Sequence, residues 1–199
     1  MINNSPSFAE VLSSNLTVIQ AQCWNWQQPP VFGSLVVIKS NQRDVFGIIS
    51  NIVIESSDPV RQPVAYQKTH AELLLEQPQI FEFLQTNFRA IIVGHQESEQ
   101  ILYHLPSSPP QIHSFVSYPT KELYSTFFQK TDFLHLLTQQ AHETPNLDEL
   151  IFAIIKQIKT QKILTIEQIY TLLKEIISSL KNDYSAQKIF ISRAETLLI

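Results

Sequence analysis

LVVIK at Leu35–Lys39 and VFGIISNIVIE at Val45–Glu55, separated by the polar stretch SNQRD, decide how this chain reads. Both runs are dominated by Val and Ile, whose branched β-carbons are crowded in a helix and well placed on a pleated strand. Two such runs joined by a short polar turn predict a β-hairpin. Gly33 opens the first strand and Gly47 lies inside the second, where a glycine marks a bulge or a sharp bend.

Working outward, Phe8–Val11 and Leu16–Trp24 read as strands upstream of the hairpin. Asn87–His95 and Gln100–Leu105 read as two more downstream, around Glu97-Ser98-Glu99. Between them Ala71–Gln77 is helical and stopped by Pro78, and Phe81–Leu84 forms a further turn of helix, giving a short helical insertion near 70–84. Six short strands without the helical crossovers that parallel sheets need predict a small antiparallel β-barrel over residues 1–105, since closure removes exposed edges.

The remainder has a different texture. Ten of the eleven prolines and all three glycines precede residue 120. Four prolines in LPSSPPQIHSFVSYP make 106–119 a linker that breaks any regular element. From 120 to 199 the periodicity is helical. One helix runs from Thr120 to about Gln140, and a second is capped by Asn146 with Glu149 and ends near Thr160. A third opens on a Thr165–Gln168 capping box, and a last one starts at Ser185. The expected class is α+β: an N-terminal six-stranded antiparallel barrel followed by a C-terminal domain of three or four helices.

Composition narrows the function. One cysteine among 199 residues excludes a disulfide framework and a thiolate-rich zinc site. Three scattered glycines exclude a Gly-rich phosphate cradle. A net charge of −4 argues against a surface that coats nucleic acid. No segment is apolar enough to span a bilayer, and MINNSPSFAEV lacks the basic start and apolar core of a secretory signal. With the unpaired Cys23, this points to the cytosol.

The six histidines form no ligand set: His135 and His142 are seven apart, whereas a helical metal pair prefers three or four. His95 and His104 face each other only as neighbours of a hairpin. Cys23 has no flanking base or cation to activate it. Glu72, Glu76 and Glu82 read as a solvated acidic face. No catalytic, metal or cofactor site is assigned. Aromatic residues give the one positive signal, because exposed Trp and Phe bury much area on contact for little entropy. Trp24 and Trp26 alternate with polar residues ahead of Pro29-Pro30. Phe127 and Phe128 are adjacent on a helix, so that one of them faces outward. These four are the candidate interface.

The run PPVFGSLVVIKSNQRDVFGIISNIVIE, followed by a strand ending IIVGH, resembles the HAS barrel. That barrel is shared by HerA-type DNA-translocating ATPases and the subunits of F-type ATP synthases. A glycine–aliphatic hairpin also fits the PRC barrel of ribosome-maturation factors; the insertion Ser56–Gln85 and the strand order favour HAS. The whole chain is also similar to stand-alone HAS-barrel proteins of cyanobacteria, with EQPQIFEFL the most family-like stretch outside the barrel. In the ATPases a P-loop domain follows, and this chain has no GxxxxGK[ST], so no catalytic residue carries over. The resemblance implies ring assembly or docking.

The leading expectation is therefore a non-enzymatic interaction or assembly module with a protein partner, an ATPase or multisubunit complex among the candidates, or with a second copy of itself. The alternative is a nucleic-acid- or ribosome-associated factor using Lys39, Arg43 and Arg61 as a local basic patch. A third is an enzyme with an unrecognised site.

Overall fold

A computed structural model describes residues 6–40, 43–58, 60, 63–179 and 193. The strands are β1 (Ser7–Ser14), β2 (Val18–Cys23), β3 (Leu35–Lys39), β4 (Asp44–Ser56), β5 (Leu84–Glu97), β6 (Gln100–Leu102) and β7 (Phe115–Ser117). The α-helices are α1 (His70–Glu76), α2 (Lys121–Phe128), α3 (Phe133–Gln139), α4 (Leu147–Thr160) and α5 (Ile166–Ser179). A 3-10 turn, Pro78–Phe83, links α1 to β5. The class is α+β, with one seven-stranded antiparallel sheet.

The strands are ordered β2-β1-β7-β3-β4-β5-β6, and β2 also pairs with β5. The length of β5 makes this possible. One edge of it meets β4; the other meets β2 over Asn87–Ile91 and then β6 over His95–Glu97. The pairings of β1, β7, β3, β4, β5 and β2 therefore return to their start, and β6 hangs outside that circuit. Gly94 lies between the two partners of β5. A β-carbon there would stand 2.6 Å from the Leu102 carbonyl oxygen, so a side chain would push β6 away. The bend expected at Gly47 is a register shift between Phe46 and Gly47, and a second shift follows between Ile49 and Asn51.

The stretch read as a linker holds β7, which pairs with β1 at Glu10–Phe115 and with β3 at Lys39–Phe115. Three residues between prolines are too short to show a period of two, so the strand left no pattern to read. The expected strand Gln100–Leu105 is shorter, Gln100–Leu102, and it is β7 rather than β6 that joins the circuit.

LVVIK lacks polar alternation because both of its faces are covered. Val36 and Ile38 join Val45, Ile49, Ala90, Ile92 and Val116 in one core. Leu35 and Val37 join Phe46, Ile48, Ile91 and Val93 in a second core, completed by the helices. Each fully buried aliphatic side chain contributes roughly 1.5–3 kcal/mol.

The single helix expected over Thr120–Gln140 is two, broken between Phe128 and Phe133. On one straight helix these residues, five apart, would point about 140° away from each other. The break lets Phe127, Phe128 and Phe133 meet with ring centroids 5.2–5.6 Å apart. α4 begins where Asn146 Oδ1 accepts the amides of Asp148 and Glu149. α5 opens on reciprocal bonds between Thr165 and Gln168. The helix expected from Ser185 lies outside the described residues.

Candidate interaction surface

The two tryptophans part company. After β2 the chain turns at Trp24–Gln28, so strand alternation no longer orients its side chains. Trp24 is 56% exposed and meets Phe115, itself 49% exposed, edge to face with centroids 5.3 Å apart. β1 runs between them, since Glu10 pairs with both Gln22 and Phe115. At the start of β1, Phe8 stacks on Tyr118 at 4.6 Å, and Tyr118 is also partly exposed. Burial pushes the Tyr118 phenol up, against an opposing contact with the Val31 backbone. Large rings from β1, β7 and the β2 turn thus gather in one region of the sheet.

Trp26 is half-buried. It stacks parallel on Phe81 at 5.8 Å, and Phe81 meets the His70 ring edge to face. The Thr86 hydroxyl donates to the Trp26 carbonyl at 2.7 Å. Trp26 therefore fastens the insertion to β5.

Phe127 and Phe128 are both buried, which corrects the expectation that one of them faces outward. α2 lies with Phe46 of the sheet against Phe127 and with Tyr124 and Phe133 against Phe128. The Tyr103 hydroxyl donates to the Phe127 carbonyl at 2.7 Å, and burial pushes that phenol up to about 12. Phe115 and Tyr118, not singled out by sequence reasoning, take their place at the surface. In FVSYP the two rings stand three apart beside a proline, so no strand period marked them.

The remaining chemical candidates are held by structural contacts. Cys23 is buried and its thiol is pushed up to about 11 by burial, far from the reactive thiolate range. His95 is buried with its ring 4.9 Å from that of His104, and its Nδ1 donates to the His104 carbonyl at 3.1 Å. His135 contacts Gln139, and His142 lies 3.6 Å from Glu143. Glu72 completes the capping box of α1, and the Thr69 amide and hydroxyl hold its carboxyl below the usual range. Glu76 pairs with Lys68. Among the described residues no three His, Cys, Asp or Glu side chains converge as a metal site.

The basic patch is neutralised where it is described. Lys39 pairs with Asp44 at 2.8 Å and Arg43 lies 3.8 Å from Glu97; Arg61 is outside the described residues. A largely apolar cavity of about 440 Å³ lies between the insertion and the ends of β4 and β5, lined by Val64, Tyr66, Leu73, Ile80, Phe83 and Leu84 among others. No described helix is long and apolar enough to cross a membrane. No protein-family model matches the sequence, and none of the curated proteins compared with it is similar.

Proposed function

We propose that this chain is a non-enzymatic protein-interaction module, a small β-barrel of the HAS type braced by helices, which docks on a protein partner within a larger cytosolic assembly. One observation carries the reading: Trp24 and Phe115 stand half in solvent although each belongs to a ring pair that a monomer gains by burying. Rings of this kind supply much of the binding energy at protein interfaces. The circuit of strand pairings supports a barrel. The resemblance of PPVFGSLVVIKSNQRDVFGIISNIVIE to the HAS barrel supports docking as its use.

The test is affinity capture from native lysate with the full chain and with Trp24→Ala. The exposed ring contributes little to folding, so the variant should keep its stability within about 1 kcal/mol. It should lose specific partners that the unaltered chain retains. Equal recovery of the same partners by both proteins counts against the aromatic surface, and absence of any specific partner counts against the module.

A further inference from the structure

β4 outruns β3. Their pairing ends at Leu35–Ile48, after which Ser34 and Gly33 bond both backbone groups of Ile49. From Asn51 to Ser56, β4 has β5 on one edge and no strand on the other among the described residues. The bond from the Ser57 amide to the Phe83 carbonyl, 2.7 Å, sets the alternation. Asn51, Val53 and Glu55 turn their backbone groups to β5, and Ile52, Ile54 and Ser56 turn theirs to the open edge. The Ile52 amide fits this pattern: it takes the side-chain carbonyl of Asn51 at 3.0 Å instead of a strand. Ile54, at the centre of the row, is 52% exposed and Val53 is 42% exposed.

Soluble proteins usually blunt such an edge with lysine, proline or a covering loop, because it templates pairing with another chain. Here it carries Val and Ile. Beside them Glu55 accepts only neutral donors, Asn87 Nδ2 at 2.8 Å and Gln85 Nε2 at 3.5 Å, and no described cation pairs with it. We infer that Asn51–Ser56 is a strand-addition site for an extended segment of a partner protein, with apolar residues on the Ile54 face and a lysine or arginine opposite Glu55. Main-chain bonds would supply the affinity and Glu55 the selectivity. A second copy of this chain fits less well. Pairing about Ile54 would set the two Glu55 carboxylates diagonally across the seam, where like charges repel. This site is separate from the Trp24–Phe115 surface and does not depend on it.

The test uses the full isotope-labelled chain and a capped peptide of alternating Val and Thr with one central Lys, beside a counterpart carrying Glu in its place. Amide exchange at Ile54 should slow by about tenfold with the Lys peptide at saturation. The Glu peptide should bind about threefold more weakly or worse, and Glu55→Gln should erase that difference. Ile54→Pro should abolish binding and keep the fold, because the Ile54 amide serves no bond to β5. Should that variant not fold, Ile54→Lys tests the same edge. Unchanged Ile54 exchange at millimolar peptide, or a preference for the Glu peptide, overturns the inference. So does protection of Ile54 that rises with protein concentration while sedimentation shows a doubled mass, which would give the edge to a second copy.

Discussion

Gly33 sits at φ +79°, and a β-carbon on it would stand 2.7 Å from the Ala153 β-carbon and 2.9 Å from the Ile154 amide nitrogen. The sequence showed this glycine as the opening of a strand, but its reason lies 120 residues away on α4, beyond anything periodicity can report. Gly33→Ala should cost about 2–3 kcal/mol through overpacking and a left-handed backbone that an L side chain resists, measured as a shift in denaturant midpoint. His95 is a second residue whose meaning is tertiary. Burial holds its imidazole below the ordinary 6.5, with the charges of His104 and Arg43 acting the same way and the His104 carbonyl and Glu97 opposing. The unfolded chain therefore takes up a proton that the folded chain refuses. The contribution of His95 is complete above about pH 6.5 and is lost as pH falls through that value toward the depressed one. Unfolding free energies between about pH 7.5 and 5.5 should decline less in His95→Gln than in the unaltered protein.

At the scale of elements, the sequence carried what is local. Thr165–Gln168 and Asn146 cap helices because their side chains answer amides two or three residues on, and those signals lie inside a few positions. Asn146→Ala should lower stability by about 1 kcal/mol, read from the thermal midpoint, with α4 fraying at its start. What depends on distant contacts was not legible. The break between α2 and α3 brings Phe133 onto Phe128, and Phe46 of the sheet covers Phe127, so two rings that adjacency on a helix set on opposite sides are both buried. β7 was hidden by its brevity among prolines. Trp24 was legible as an exposed ring, and Phe115 was not, since its neighbour is 91 residues away in the chain.

Across the whole molecule, one face of the sheet core belongs to the strands alone and the other is shared with α2, α3, α4 and α5. The rings at Trp24 and Phe115 stand on the outer surface, a platform where β1, β7 and the β2 turn come together. The account rests on that platform meeting another protein. Its most direct measurement is photocrosslinking in native lysate with a light-activated aromatic residue at position 24, compared with the same residue at Tyr170, a ring of α5 that is 50% exposed. Exposure is nearly equal at the two positions, so differences report contact and not accessibility. A discrete adduct of higher mass from position 24, and none from position 170, is the expected result. No adduct at position 24, or the same adducts from both positions, would contradict the account.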